Sequence, residues 1–469
     1  MEKVDMLVIN AMVITMDDTR RILTNGGLAI KADLIVEVAS TENLLKKYSA
    51  DKVIDATDKF VFPGMVNTHN HLFQVLLKGV GKDKKLIDWL ECTIMRSYNN
   101  ISEDDIYLAT MVGCIEQIKS GVTTVLDYQY AHGKRYLSDA VIKAFEDLGI
   151  RAILGRGHTD TLSFPEYCKC DYNESEKEYF EDIRRLSEKY RDSPTVDIAI
   201  APAIIWTLSE DGFKECARLA KELGTFNTIH TLETEEDNAY SLEKYGISTM
   251  EFYERCGILS ASLLAVHCAQ INKEEIQKLK QYGVKVSYNA ISNMMIGYKA
   301  LPVQDLLDAG IVVGIATDGA ASNDNQNMLE VMKISALWQK AAYRDPAVLP
   351  ATKILEMATI DGADAVFKKD VIGSLEVGKK ADFFIYNPKF CNTVPVLDPV
   401  VSIVYGAGEN NIETTVVNGK IILEDGKILG IDEEEMLMRL QKAAYDLRKK
   451  SGIDNYLWNQ KVDVEPFQK

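Results

Sequence analysis

Short apolar runs alternate with helical segments between residues 60 and about 365. The runs are rich in β-branched residues, as expected of strands buried on both faces. Eight strands are predicted at 60–67, 122–127, 151–155, 196–201, 226–230, 263–267, 284–288 and 312–317. Each is followed by a stretch with helical periodicity, for example 104–119 and 273–282. Eight strand–helix alternations predict an α/β fold of the (β/α)8 TIM-barrel type, with an open doubly wound sheet as the alternative.

The two ends of the chain have a different pattern, in which short β-type runs are separated by turns. These runs lie at 6–9, 12–15, 27–30, 34–38, 382–386, 400–405, 414–417 and 420–423. Asn418-Gly419 between the last two is a strong hairpin signal. We therefore expect a small β-sandwich domain built from both chain ends, 1–58 and 366–430, with the barrel at 59–365 inserted between them. Apolar positions at helical spacing over 431–450 predict a C-terminal helical tail within 431–469.

Composition and charge argue against several classes of partner and cellular location. The net charge of −17, with no concentrated basic patch, argues against nucleic acid as a partner. No run of about 18 apolar residues is present, so no membrane-spanning segment is expected. The N-terminus shows no secretory signal, and the eight cysteines are scattered as reduced thiols are. The sequence therefore predicts a cytoplasmic protein.

Most of the histidines stand where predicted barrel strands end. The chain has six histidines; His69 and His71 follow the first strand, His230 ends the fifth, and His267 ends the sixth. Asp318 follows the eighth strand. Barrel enzymes place their catalytic groups at this C-terminal face of the strands. The two histidines of a His-x-His on an extended strand also share one face, because side chains alternate.

This set of side chains favours metal-assisted hydrolysis. Imidazoles with one carboxylate suit a borderline divalent ion such as Zn²⁺ or Fe²⁺, with room left for water. Such an ion lowers the pKa of a bound water from about 16 towards about 7. Glu233 follows His230 by three residues and is placed to pass a proton to a ring nitrogen of a substrate. The alternative is that Glu233 only starts the next helix, where a negative charge favours the helix dipole.

Several short motifs occur together along nearly the whole chain. They are Pro-Gly-Met-Val-Asn-Thr-His-Asn-His at 63–71, Ser-Gly-Val-Thr-Thr at 120–124, His-x-x-Glu at 230–233, Val-His-Cys at 266–268, Ser-Asn at 292–293, Thr-Asp-Gly-Ala-Ala-Ser-Asn-Asp at 317–324 and Ile-Gly-Ser-Leu-Glu-Val-Gly-Lys-Lys-Ala-Asp at 372–382. With this set the chain resembles the amidohydrolase superfamily. Within it, the chain is similar to the branch of triazine hydrolases, 8-oxoguanine deaminase and S-adenosylhomocysteine deaminase.

The resemblance implies roles for the residues at the strand ends. It implies four ligands for one divalent ion, zinc with iron as the alternative, at His69, His71, His230 and Asp318. Glu233 would move protons between water and the ring, His267 would polarise the attacking water or the tetrahedral intermediate, and Asp318 would receive the proton of the water. Two-metal branches use a carboxylated lysine on the fourth strand, and 196–202 contains no lysine, so a mononuclear site is expected. The resemblance also implies a homodimer.

The implied reaction is a hydrolytic deamination. A metal-dependent aminohydrolase would replace an amino or alkylamino group on a nitrogen heterocycle, such as a purine, pterin or triazine, using water. One alternative is a nucleoside deaminase of the S-adenosylhomocysteine or methylthioadenosine type, and a second is a triazine chlorohydrolase. The third is an inactive interaction protein on the same fold.

Four residues are predicted to bind the substrate: Gln74, Trp89, Tyr98 and His158. Adenosine-type members carry a Pro-x-Glu whose carboxylate holds ribose hydroxyls, whereas this chain has Arg96 and Tyr98 at those places. Gln74 matches members that act on 8-oxoguanine and hydroxyatrazine, and its amide offers both a donor and an acceptor. These two features favour a free base or small ring over its riboside.

Overall fold

The N-terminal part of the chain forms strands of a β-sheet. The computed structural model describes residues 1–158, 173–458 and 460–467. The first elements are β1 Glu2–Ile14, β2 Ile22–Lys31, β3 Leu34–Ser40, α1 Thr41–Lys47, β4 Tyr48–Asp55 and β5 Phe60–Pro63. Strand β1 pairs with β2 in antiparallel fashion and with β4 and β5 in parallel. The turn expected between two strands in 6–15 is instead an irregularity in β1 at Asn10, whose φ is 62°.

Eight parallel strands, counted over the described residues, form the barrel. They are β6 Met65–Asn70, β7 Val122–Gln129, β8 Arg151–His158, β9 Val196–Pro202, β10 Asn227–Thr231, β11 Leu263–His267, β12 Lys285–Tyr288 and β13 Val313–Ile315. Each pairs with the next in chain order, from β6 to β13. Their side chains are almost all buried, which accounts for the continuous apolar runs in the sequence. The predicted TIM barrel is confirmed.

Helices alternate with the barrel strands along the chain. They are α2 Leu86–Cys92, α3 Ile94–Ser97, α4 Glu103–Lys119, α5 Leu137–Leu148, α6 Glu176–Lys189, α7 Glu210–Leu223, α8 Glu235–Tyr245, α9 Thr249–Arg255, α10 Lys273–Tyr282, α11 Ala290–Ile296, α12 Val303–Asp308, α13 Ala320–Asn323, α14 Met328–Tyr343, α15 Ala351–Ala358 and α16 Ile360–Ala365. Helix α4 begins at a capping box formed by Ser102 and Asp105, and α10 at one formed by Asn272 and Glu275.

None of the helices in the described ranges combines the length and apolar character that crossing a bilayer requires.

The C-terminal part returns to the first sheet. Its strands are β14 Phe383–Tyr386, β15 Ile412–Val417, β16 Lys420–Glu424 and β17 Lys427–Ile428. Strand β14 pairs with β5, so both chain ends contribute to one sheet of nine strands within the described residues. A separate apolar core includes Val8 and Leu28 from the N-terminal end and Phe383 and Val416 from the C-terminal end. The second, smaller β domain built from both ends is therefore present.

The predicted first barrel strand, 60–67, is two strands in two sheets. Residues 60–63 belong to the small sheet as β5, and the barrel strand β6 starts at Met65. The break is at Gly64, where a Cβ atom would lie 1.9 Å from Thr123 Oγ1. The Gly64 N–H donates to the carbonyl of Asp382, which ties this crossing point to the returning chain.

Two further segments differ from the prediction. Residues 400–405, predicted as β, are helical: α17 Pro399–Val401 continues into a π-helical turn, Ser402–Gly406. Asp398 accounts for this, because its carboxylate accepts hydrogen bonds from the first helical N–H groups and Pro399 suits the first helical position. The C-terminal tail contains α18 Glu433–Lys450 and then a hairpin, β18 Asn455–Leu457 and β19 Gln460–Val462, beyond the predicted helix.

The barrel closes between β13 and β6, the two ends of the parallel sheet. No strand pairing joins them in the described chain. Instead the Asp318 N–H donates to the His69 carbonyl at 3.2 Å, and the Thr317 N–H donates to the Asn67 side chain at 3.1 Å. This seam lies beside the residues predicted to bind metal.

Candidate active site

Four predicted ligands meet at the C-terminal mouth of the barrel. His71 Nε2 lies 3.1 Å from His69 Nε2 and 3.2 Å from His230 Nε2. Asp318 Oδ1 lies 3.5 Å from His69 Nε2 and 3.4 Å from His71 Nε2. Donor atoms around a tetrahedral zinc ion, with bonds of 2.0–2.1 Å, are about 3.3 Å apart. The ligand atoms of His69, His71 and His230 lie within 4.8 Å of one another, as do those of His69, His267 and Asp318, so the donor types and spacing fit a divalent metal ion.

Backbone carbonyls orient two of these imidazoles. His71 Nδ1 lies 2.8 Å from the carbonyl oxygen of Tyr128, and His230 Nδ1 lies 2.6 Å from that of Ala203. A carbonyl oxygen only accepts, so each Nδ1 carries the proton and each Nε2 presents a lone pair to the cluster.

The histidines of the cluster are neutral at physiological pH. Burial lowers the pKa of His69 to about 4 and that of His71 to about 3. Burial also holds the pKa of His230 well below its usual value. Neutral imidazoles are the form that binds a metal ion.

The carboxylate of Asp318 is held on both oxygens. The Ser292 hydroxyl donates to Oδ2 at 2.6 Å, and the Gly319 N–H donates to Oδ1 at 2.7 Å. Burial acts to raise the pKa of Asp318, but its interactions with the side chains of His69 and His267 keep that pKa well below its usual value. Asp318 is therefore ionised and oriented.

The backbone at the mouth adopts left-handed conformations that residues other than glycine rarely adopt. Asp318 has a φ of 59°, His267 of 67°, Cys268 of 49° and Leu232 of 47°. Each such residue costs about 1–3 kcal/mol and persists where the surroundings enforce it. Two of these residues, Asp318 and His267, have side chains that line the cavity at the mouth.

Two predicted catalytic residues, His267 and Glu233, lie beside the cluster. His267 Nε2 is 3.7 Å from Glu233 Oε1 and 3.8 Å from Asp318 Oδ2. Its other ring nitrogen lies 2.8 Å from Asn293 Oδ1, which fixes the ring. Burial, aided by the charge of Asp318, raises the pKa of Glu233. The Tyr298 hydroxyl donates to Glu233 Oε1 at 3.0 Å. A buried carboxyl with a raised pKa suits proton transfer near neutral pH.

A largely apolar cavity of about 860 Å³, mouth included, opens above these groups. Three of the four predicted substrate-binding residues line it: Gln74, Trp89 and Tyr98. The Trp89 indole N–H donates to the carbonyl of Ala321 at 2.9 Å, so its ring is fixed against the loop after β13. Gln74 donates to the Tyr130 hydroxyl at 3.1 Å and accepts from the Ala321 N–H at 3.3 Å.

His158 does not line the cavity as described. Its Nδ1 lies 3.1 Å from the carbonyl oxygen of Thr207, and its Nε2 lies 3.2 Å from that of Glu174. The side chain is buried against Tyr179. These contacts place His158 in the wall of the barrel, and its role with substrate stays a prediction.

Two residues of the site were not predicted from the sequence. Tyr298 follows α11 and reaches Glu233, and Tyr130 lies edge-on to the ring of His71 at 4.9 Å between centroids. Ser292 belongs to a motif singled out above, but its contact with Asp318 was not foreseen. Tyr130 had a local signal, because it comes just after β7, at the same end of the barrel as the ligands.

Comparison with known proteins agrees with the geometry. Residues 60–422 match the model of the Amidohydrolase family. A 5'-deoxyadenosine deaminase of Methanobrevibacter smithii is 35% identical over 95% of this chain and 98% of its own length. A 5-methylthioadenosine/S-adenosylhomocysteine deaminase of Thermoanaerobacter pseudethanolicus is 32% identical over 94% of this chain and 99% of its own. The crystal structure of an adenosine deaminase from Xanthomonas campestris with bound zinc superposes with a TM-score of 0.89, at 26% identity, covering 96% of this chain and 99% of that one.

Proposed function

We propose, from the premise that this chain belongs to the amidohydrolase family, that it deaminates an adenosine-type substrate. The chain is a metal-dependent hydrolase acting on C–N bonds of cyclic amidines, with a small-molecule substrate and water. In this reaction, water adds to the ring carbon that bears the amino group, the C–N bond breaks, and ammonia leaves a ring carbonyl. The observation that carries the proposal is a pair of overlapping groups of metal-ligand side chains, His69, His71 and His230 and His69, His267 and Asp318, which lie beside Glu233 below an apolar cavity.

We propose that His69, His71, His230 and Asp318 hold a single ion, zinc, with iron as the alternative. The zinc in the related adenosine deaminase structure supports this choice. A bound divalent ion lowers the pKa of water towards neutrality, which supplies the nucleophile. Strand β9 carries no lysine that could bridge a second ion.

The neighbouring residues move the protons. Glu233 accepts a proton from water and delivers it to the ring nitrogen next to the reacting carbon, which makes that carbon more electrophilic. His267, fixed by Asn293, directs Nε2 towards the oxygen that forms on this carbon. Asp318, ionised by its surroundings, takes the second proton of the water, which goes on to the departing amino group.

The relatives favour a nucleoside over a free base. The two named above carry nucleosides in their names and match nearly the whole chain. A free aminopurine remains the second candidate, because Tyr98 stands where a ribose-holding carboxylate is expected. Among the described cavity residues, Glu233 and Asp318 are the only carboxylates, and both are assigned to the reaction rather than to the sugar.

Matched substrate pairs test this choice. Purified protein should release ammonia in step with loss of 5'-deoxyadenosine or 5'-methylthioadenosine, with kcat/KM at least tenfold above that for adenine. Glu233→Gln, prepared in parallel, controls for a contaminating deaminase. Faster turnover of adenine than of every nucleoside would transfer the proposal to free bases. Substrate loss without ammonia would mean another leaving group, such as the chloride of a triazine.

We also propose a homodimer that acts in the cytoplasm. Large apolar side chains in the C-terminal hairpin, Leu457 and Trp458, are 43% and 91% exposed, and a second copy of the chain would cover such residues. Light scattering should give twice the mass of one chain, and Trp458→Ser should weaken the association. A monomer at micromolar concentration would contradict the proposal.

A further inference from the structure

The cavity has two chemically distinct parts. Its floor carries the ionisable groups described above. Its other lining residues are mostly apolar side chains from α2 and α3, from the segment after β9 and from the end of α11. These residues, here called the apolar chamber, are Leu90, Ile94, Met95, Ile204, Trp206 and Ile296.

Among the lining residues that the structure describes, the ionisable groups are confined to the floor. No lysine or arginine occurs among the cavity-lining residues in the part of the chain that the structure describes. Arg96 lies within α3, but its side chain is exposed and its guanidinium is 3.9 Å from the carboxylate of Glu91. It does not line the cavity, although its neighbour Met95 does. None of the described lining residues would therefore offer a cation to an anionic group that loses its water in the apolar chamber.

We propose that the apolar chamber is a subsite for an uncharged, apolar substituent on the sugar of the substrate. The inference rests on the proposed adenosine-type substrate. An unpaired carboxylate or ammonium is costly to bury, whereas each buried CH₂ improves binding by about fourfold. The chamber thus selects 5'-deoxy and 5'-methylthio nucleosides against nucleosides that carry an amino acid at the same position.

One pair of substrates isolates this choice. 5'-Methylthioadenosine and S-adenosylhomocysteine share the nucleoside and the thioether, and they differ in the amino-acid group. We expect kcat/KM for 5'-methylthioadenosine to exceed that for S-adenosylhomocysteine by at least tenfold. Equal or faster turnover of S-adenosylhomocysteine would overturn the inference while leaving deamination intact. Failure to deaminate any adenosine derivative would overturn the proposed function together with the inference.

A positive charge placed in the apolar chamber tests whether the apolar lining causes the selectivity between the two substrates. Leu90 is half-buried and lines the cavity, so the guanidinium of Leu90→Arg can reach solvent while its stem faces the chamber. Ile87 lies on the same helix, is 38% exposed and does not line the cavity. Ile87→Arg therefore adds the same charge outside the chamber.

We expect Leu90→Arg to raise the ratio of kcat/KM for S-adenosylhomocysteine to that for 5'-methylthioadenosine by at least fivefold, and Ile87→Arg to leave the ratio unchanged. An unchanged ratio in a folded Leu90→Arg protein, or an equal rise in both variants, would overturn the role of the chamber. Leu90→Lys repeats the test if the arginine variant does not fold, and the wild-type comparison decides the selectivity without any variant.

Discussion

Replacing Tyr298 with phenylalanine removes one hydroxyl group from the proton-transfer residue. That hydroxyl donates to Glu233 Oε1 at 3.0 Å. Burial and the nearby carboxylate raise the pKa of Tyr298, so it remains a donor at all working pH values. The ring of the phenylalanine would fill the same space. The change should therefore act on Glu233 rather than on the fold.

The expected shift follows from the strength of this hydrogen bond. A bond to a charged carboxylate contributes about 1.5–3 kcal/mol, and one to the neutral acid about 0.5–1.5 kcal/mol. The difference, about 1–1.5 kcal/mol, corresponds to about one pKa unit. Burial already raises the pKa of Glu233, and loss of the donor raises it further. Because Glu233 must be ionised to accept a proton from water, the acid limb of kcat should move about one unit towards higher pH.

The assay is a pH profile of kcat, with metal content measured for each protein. On the acid limb the variant should be about tenfold slower than wild type, and at higher pH the two should converge. Tyr343→Phe is the matched control, because the Tyr343 hydroxyl donates to Asp305 away from the cavity. An acid limb at the wild-type position in Tyr298→Phe would refute the reasoning.

Three further results are expected. His230→Ala should reduce the metal content, measured by elemental analysis, from about one ion per chain to near zero and abolish activity; two ions per wild-type chain would contradict a mononuclear site. Glu233→Gln should keep its metal and lose about 10²–10⁴ in kcat, and near-normal turnover would reduce Glu233 to a helix-start residue. Arg151→Met should lower the free energy of unfolding in urea by about 3–5 kcal/mol, because the buried carboxylate of Asp382, which lies 2.7 Å from Arg151 Nε in the wild type, loses its counter-ion. An unchanged free energy of unfolding would mean that water or another donor replaces the guanidinium.

The features predictable from the sequence depend on local rules. Alternation along a strand places His69 and His71 on one face, and the ends of parallel strands gather at one mouth. These rules anticipated that His230, His267 and Asp318 would meet there. The helix at 273–282 was equally predictable, because Asn272 is a typical N-cap residue and the apolar residues after it have helical spacing.

The features that were missed depend on partners distant in the chain. Residues 60–67 read as one strand because both halves are apolar, and only the pairing of β5 with β14 assigns the first half to another sheet. Tyr298 carries no motif of its own and becomes informative only when the fold brings it to Glu233. His158 stands at a strand end, as a substrate contact would, and two carbonyl oxygens lie beside its ring, so its role with substrate stays a prediction.

The proposed metal site spans the seam between β6 and β13, which links the expected stability of the barrel to the binding of an ion. His69 and His71 belong to one edge of the seam and Asp318 to the other, with single hydrogen bonds rather than a strand ladder between the edges. Occupation of the site and closure of the seam are therefore one linked equilibrium: at a free metal concentration 1,000 times Kd, linkage contributes about 4 kcal/mol to the closed state. Chelation of the ion should lower the temperature of unfolding. It should also increase hydrogen exchange first along β6 and β13, because these two strands unfold locally before the rest of the barrel.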